Sequence, residues 1–218
     1  MVENVPQWLN GSAFVWYPYV RLLDRSLAIP HLEVKSIADL QPRKIKQSGI
    51  DGVIFDKDNT LSRPYVDEVV DDIRSSYEEF ISVFGAENLL IVSNCAGSRD
   101  DPKMKAKEEV EKVFGIKVLT HWMKKPGKMR RLNSDWSIPF QKCVMIGDRV
   151  VSDIIFGNRY GMATILVDGF THAGEIPALD RVRSHEHALI RKWMKKGLKP
   201  PQIQGLQVDE FALWVKNP

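Results

Sequence analysis

Cysteine is scarce in this chain: Cys95 and Cys143 are the only two, and they stand far apart. Neither a disulfide framework nor a cysteine-built zinc site follows from such a pair, which suits small core residues in a reducing compartment. Long apolar runs are missing as well. A bilayer-crossing helix needs about 18 or more consecutive apolar residues, and the stretch from Ala13 to Leu23 is broken by Pro18 and Arg21. No basic residue precedes Arg21, so the N-terminus resembles neither a signal peptide nor an Arg-rich transit peptide. There is no internal repeat and no low-complexity tract. A net charge of only +3 gives no basis for a nucleic-acid partner.

What is present is an ordinary folding composition, 44% hydrophobic and 27% charged over 218 residues, enough for one catalytic domain with terminal extensions. The middle of the chain alternates short apolar runs with helical stretches, the pattern of an α/β domain built on a mainly parallel sheet. Five strands are expected: Gly52 to Phe55, Leu89 to Val92, Ile116 to Leu119, Cys143 to Ile146 and Thr164 to Val167. Helices are expected over about Val66 to Phe84, Pro102 to Phe114 and from Val151 to a stop at Gly161. This divides the chain into a lead-in (1–50), a core (51–170) and a C-terminal extension with a basic helix (171–218).

Three of these strands run straight into polar clusters. In open α/β sheets, ligands bind in the crevice beyond the carboxyl ends of the strands. Asp56-Lys57-Asp58-Asn59-Thr60, Ser93-Asn94 and Gly147-Asp148-Arg149 are therefore expected to converge. Two aspartates two positions apart offer a nucleophile for phosphorus and an acid for the departing oxygen. Carboxylates repel a phosphate, so a hard cation must stand between them, and magnesium takes carboxylate and phosphate oxygens. Asp148 is the natural further ligand, Ser93 a donor to a phosphoryl oxygen, and Lys125 a counter-charge for the transferring group. Two other readings of Asp56 and Asp58 fit less well. A calcium loop requires glycine where Leu61 stands and a helix where a strand precedes. A receiver-type domain does not account for the pair of aspartates followed by Gly147-Asp148.

Taken together, these residues resemble the haloacid dehalogenase superfamily, whose four motifs occur here in order. The resemblance implies a Rossmann-like three-layer sandwich and an aspartyl-phosphate mechanism. Asp56 matches the nucleophile, Asp58 the acid/base, Ser93 the second motif and Lys125 the third, within Lys124-Lys125-Pro126-Gly127. Asp148 matches a magnesium ligand beside Asp56 and Asp58, with Asp153 as a lesser candidate behind them. Asn59 departs from the glycine usual at its position. That departure, with Ser93-Asn94-Cys95-Ala96-Gly97 and the run from Gly147 through Asp153 to Gly157-Asn158-Arg159 and Gly161, resembles the eukaryotic phosphatidylglycerophosphate phosphatases of mitochondria and plastids. The resemblance spans about Ile29 to Gly169. It implies a lipid substrate whose terminal phosphate is removed on the way to cardiolipin. Asn59, Asn94 and Arg149 are expected to contact the substrate, Arg149 at its second phosphate or else in a structural salt bridge.

Spacing bears on access. Neither the interval from Asp58 to Ser93 nor that from Ser93 to Lys125 has room for a large cap domain, so the site is expected to be open unless a homo-oligomer partner covers it. Leu9, Ala13, Trp16, Val20, Leu23 and Leu27 recur at helical spacing with Trp8, Tyr17 and Tyr19 nearby, which suits a membrane interface. Arg191, Lys192, Lys195, Lys196 and Lys199 around Trp193 suit anionic headgroups. A peripheral enzyme on an organellar membrane is the leading expectation. Its rivals are a phosphatase of soluble esters or phosphoproteins, and a scaffold without catalysis. His121 is a minor site candidate, and His172, His185 and His187 show no ligand spacing.

Overall fold

The computed structural model describes residues 11–121, 123–127, 136–170 and 177–216. A single six-stranded sheet in the order β1-β6-β5-β2-β3-β4 forms the centre, and every neighbouring pair is parallel. The strands are β1 (Leu32–Val34), β2 (Gly52–Phe55), β3 (Leu89–Ile91), β4 (Lys117–Val118), β5 (Cys143–Gly147) and β6 (Ala163–Val167). The helices are α1 (Gly11–Leu22), α2 (Pro42–Gln47), α3 (Asp71–Phe84), α4 (Lys105–Phe114), α5 (Ile155–Arg159) and α6 (Pro177–Met194). A π-helical turn over Val150–Ile154 leads into α5, and a 3-10 segment over Val208–Trp214 follows α6. This is the expected α/β three-layer sandwich, with no large cap among the described residues.

Its strands are apolar on both faces because both faces are covered. Val53 and Phe55 of β2, with Val144 and Ile146 of β5, enter one core together with Ile73, Phe80 and Phe114 from the helices and Trp214 from the 3-10 segment. The alternate residues Ile54 and Met145 enter a second core with Trp136 and Phe156. A third cluster joins Val20 of α1 and Ile190 and Trp193 of α6 to Ile154 and Leu166.

Two differences from the sequence expectation matter. The sixth strand, β1, lies in the lead-in and pairs with β6 (Leu32 opposite Ile165). Three residues are too few to show a period, so nothing local marks it. Helix α3 starts at Asp71 rather than near Val66, and Asp71 and Asp72 lie in its first turn, where acidic groups suit the helix dipole. Of the N-terminal helical pattern, Trp8 and Leu9 lie outside the described residues, as does the side chain of Ala13; His172 is outside them too.

From β2 the chain moves outward to β3 and β4 on one side, and β5, β6 and β1 lie on the other. The order therefore reverses between β2 and β5. That is where a crevice opens at the carboxyl ends of an open sheet, and it is where Asp56 and Asp148 stand.

Candidate active site

Asp56, Asp148 and Asp153 bring one carboxylate oxygen each to within 4.8 Å of one another, and all three are buried. Asp56 follows β2 and Asp148 follows β5, while Asp153 comes from the π-helical turn. Its carboxylate reaches back beneath Gly147, where a Cβ would stand 2.5 Å from Asp153 Cγ. Glycine at that position is thus required by a close approach. Lys125 is fully buried and donates from Nζ to Asp56 Oδ1 and Asp153 Oδ1, both at 2.6 Å.

The electrostatics call for a cation. Burial pushes the Asp56 carboxyl up to about 6, and the Asp153 charge adds to the rise while Lys125 opposes it. Asp148 is pushed up to about 8, again by burial first and then by Asp56 and Asp153, with Arg183 and Arg149 pulling the other way. Burial would lower Lys125, but Asp153 and Asp56 outweigh it and hold the ammonium well above its ordinary value. When all three are ionised, the carboxylates outnumber Lys125 and Arg183, the two cations bonded to them, and the raised Asp56 and Asp148 carboxyls reflect the cost of that buried charge. An all-oxygen donor set of this charge fits a hard divalent cation such as magnesium.

The carboxylates that the structure brings together differ from the expected trio. The Asp58 side chain lies outside the cluster and is held by Lys57 Nζ at 2.7 Å and the Tyr65 N–H at 3.1 Å. Asp153, expected behind the ligands, is the third carboxylate of the cluster. The Asp58 carboxyl remains partly exposed, and burial with the Asp56 charge raises its pKa, which suits an acid. The chain turns at Asn59 with φ of 61°, a conformation that glycine adopts freely and asparagine tolerates better than most residues. The unusual asparagine is thereby accounted for. Its Oδ1 and the Thr60 Oγ1, three and four residues after Asp56, are buried without a hydrogen-bond partner.

Ser93 is buried, and its Oγ accepts the Cys95 N–H at 3.1 Å, which spares the hydroxyl proton for an acceptor. The other expected substrate contacts are occupied within the protein. Asn94 Oδ1 accepts the Lys125 N–H at 2.9 Å and so fixes the lysine loop. Arg149 turns to Glu186, with Nη2 at 3.2 Å and Nε at 3.4 Å, the structural alternative to binding phosphate. His121 packs between loops, with ring nitrogens 2.6 Å from Ser93 O and 2.8 Å from Met123 O.

Sequence reasoning missed the contribution of α6. Arg183 donates from Nη1 to Asp148 Oδ2 at 2.7 Å, and His187 Nε2 lies 2.9 Å from Asp148 O. Glu186 accepts the Val150 N–H at 3.1 Å and the Val151 N–H at 3.4 Å, besides Arg149. One helix face thus grips the turn that carries Asp148. A signal for it exists in the sequence: Arg183, Glu186 and His187 extend the stripe of Ile190 and Trp193 at three- and four-residue spacing. Polar residues therefore occupy the inward face of an amphipathic helix.

The family model described as mitochondrial PGP phosphatase matches residues 18–171. A chloroplastic/mitochondrial phosphatidylglycerophosphate phosphatase of Arabidopsis thaliana is 36% identical over 217 residues, covering 97% of this chain and 61% of its own length. A chloroplastic counterpart from Chlamydomonas reinhardtii is 36% identical over 196 residues, 89% of this chain and 72% of that protein. A mitochondrial phosphatidylglycerophosphatase of Saccharomyces cerevisiae is 35% identical over 164 residues, 72% and 83% of the two chains. This chain therefore spans about three fifths of the plant relative. The match covers the sheet, all four motif turns and most of the lead-in, and on it the chain belongs to the mitochondrial PGP phosphatase family.

Proposed function

We propose that the protein is a magnesium-dependent phosphomonoesterase that removes the terminal phosphate of phosphatidylglycerophosphate, yielding phosphatidylglycerol, the precursor of cardiolipin. The observation that carries this reading is the buried cluster of Asp56, Asp148 and Asp153 closed by Lys125, in a chain whose relatives are named for that reaction. Asp56 attacks phosphorus, and the phosphoryl group passes to its carboxylate as the ester oxygen departs. Asp58 protonates that oxygen and then takes a proton from the water that hydrolyses the acyl phosphate. Ser93 and Lys125 hold the phosphoryl oxygens against the nucleophile, and Asn94 keeps Lys125 in place. Asp56, Asp148 and Asp153 would hold the cation, which supplies charge neutralisation between carboxylates and phosphate.

A membrane surface is part of the proposal. No helix among the described residues is long and apolar enough to cross a bilayer. At the end of α1, Leu22 and Leu23 are 78% and 73% exposed. Two residues on, the Arg25 guanidinium sits 5.5 Å from the Trp193 ring centroid of α6. Lys192, Lys195 and Lys196, close to that tryptophan in sequence, are exposed. Apolar tips near basic groups favour an anionic lipid surface, and the relatives' names place them in chloroplasts or mitochondria.

The test is phosphate release from phosphatidylglycerophosphate in mixed micelles with magnesium, comparing the native chain with Asp56→Asn. Release by the native chain alone, above that from soluble esters, is expected. Release from soluble esters only would discard the lipid substrate, and no release from any ester would discard the enzyme. For the surface, the Leu22→Asp, Leu23→Asp double variant is expected to stay in the supernatant when vesicles containing phosphatidylglycerol sediment the native chain. Co-sedimentation of both would remove this surface from the proposal.

A further inference from the structure

Helix α5 stands outside the carboxylate cluster, yet three consecutive residues tie it to the elements around it. Gly157 brings it against the sheet: a Cβ there would stand 2.5 Å from Thr164 Cγ2 and 2.9 Å from Met145 Cβ. Asn158 Nδ2 donates to Leu27 O and Ile29 O, both at 2.9 Å, and so fixes the helix to the segment that follows α1. Arg159 is the last residue of the helix and faces two ways. Its Nη1 donates to Pro126 O, and its guanidinium carbon lies 3.4 Å from the centroid of the Trp16 ring of α1. Trp16 is itself backed by Tyr19, with ring centroids 5.1 Å apart. Among the described residues no carboxylate pairs with Arg159, and burial pulls its pKa down. The indole face and the carbonyl are therefore what hold the charge in place.

Pro126 adjoins Lys125, and both are buried. The Lys125 N–H is bonded to Asn94 Oδ1 at 2.9 Å, and the Gly127 N–H closes a turn on Lys124 O at 2.8 Å. The Pro126 carbonyl belongs to the same loop, and a buried carbonyl requires a donor; Arg159 supplies it. We propose that Arg159 is a positioning residue for Lys125 and that Trp16 seats it. The indole holds the guanidinium, the guanidinium holds Pro126 O, and Pro126 O fixes the loop that aims the Lys125 ammonium at Asp56 and the phosphoryl group. The proposal rests on the functional reading above in giving Lys125 a phosphoryl group to meet. A catalytic group misplaced by about 1 Å can cost about 100-fold in rate, so a support one residue away is felt in turnover. Helix α1 thereby belongs to the support of the active site as well as to the surface proposed for lipid.

The experiment measures kcat and KM for p-nitrophenyl phosphate and for a short-chain phosphatidylglycerophosphate below its micelle concentration, with magnesium. Both substrates are dissolved, so membrane binding by α1 has no part in the result. Arg159→Met keeps the length and removes the donors. Its kcat is expected to fall about 10- to 100-fold while KM stays within about 3-fold, because Lys125 and its charge remain. Arg159→Lys, which can still donate to Pro126 O, is expected to recover most of that loss. Trp16→Leu is expected to lower kcat about 2- to 5-fold, the size of a cation–π contact. The double variant is expected to be no slower than Arg159→Met alone, since the two residues act in series. A lower melting temperature with native kcat in Arg159→Met would make Arg159 a prop of the fold only and overturn the assignment, and so would a raised KM at native kcat. Losses that multiply in the double variant would overturn the seating by Trp16. If Arg159→Met does not fold, Arg159→Lys takes its place in the cycle. Its ammonium lacks the stacking plane, so Trp16→Leu is expected to cost it less than it costs the native chain, and an equal cost would overturn the seating. If the native chain cleaves only one of the two esters, the same comparisons decide on that one. Cleavage of the aryl ester alone would discard the lipid substrate without touching this inference, and cleavage of neither would sink both.

Discussion

Lys125→Met is the most severe test of the charge arrangement, because methionine keeps much of the volume and removes only the ammonium. Lys125 has no exposed surface and is 2.6 Å from each of two carboxylates. Removing one partner of a buried ion pair costs about 3–5 kcal/mol, and here two carboxylates lose the same partner, which favours the upper end. For a chain of this length each kcal/mol moves the melting temperature by about 2–4 °C, so a fall of about 10–20 °C is expected at pH 7.5 without magnesium. The cost must shrink in acid. Asp56 titrates at about 6 in the native protein and higher still without Lys125, so at pH 5 it is protonated and needs no counter-charge. Thermal unfolding of native and variant chains at pH 5 and 7.5, with and without magnesium, measures each part. Turnover should drop by about 100-fold or more, the scale of losing one preorganised electrostatic donor. An equal fall in melting temperature at both pH values would mean that packing, rather than charge, makes Lys125 necessary.

Raised carboxyls set the pH dependence of the metal-free protein. Asp56 and Asp148 rise from an ordinary 3.8 to about 6 and about 8, so their contribution is fully present below about pH 4 and is lost as pH climbs through those values. Magnesium requires the ionised forms, and its stabilisation should grow across the same window, to about 2.7 kcal/mol at a hundredfold excess over Kd; melting curves with and without magnesium at pH 5 and 8.5 check this. Asn59→Gly should be nearly neutral, while Asn59→Ala should cost about 1–2 kcal/mol at its left-handed backbone, read from urea midpoints. Glu186→Gln keeps the acceptor and removes the charge facing Arg149, for an expected loss of about 1.5–3 kcal/mol and slower turnover in the same preparation.

The strand-end motifs were legible because a parallel sheet turns sequence-distant polar clusters into neighbours: Asp56, Ser93 and Asp148 each follow a run of apolar residues that pairs with the next. The individual side-chain directions were not. The Asp58 carboxylate lies apart from the cluster because Lys57 captures it, and the π-helical turn delivers that of Asp153 instead; neither event leaves a mark in spacing. Strand β1 escaped notice for its brevity. Of the two expectations for Arg149 the salt bridge is the one seen, but its partner lies 37 positions later, too remote for any local pattern to reveal. The stripe on α6 was readable in principle, since charged residues on the side of a helix that also carries Ile190 and Trp193 need a buried use.

Helix α6 has a consequence for how the protein loses its site under denaturing conditions. The sheet and the turns bearing Asp56, Ser93, Lys125 and Asp148 are complete by residue 170, yet the groups that orient Asp148 and its turn arrive with Arg183, Glu186 and His187. Undocking this one helix would leave the sheet core standing while Asp148 lost the groups that hold it. Local opening of a single element takes less free energy than global unfolding. Loss of turnover should therefore precede loss of the fold as denaturant rises, and turnover would report how firmly the last-synthesised helix of the site is seated.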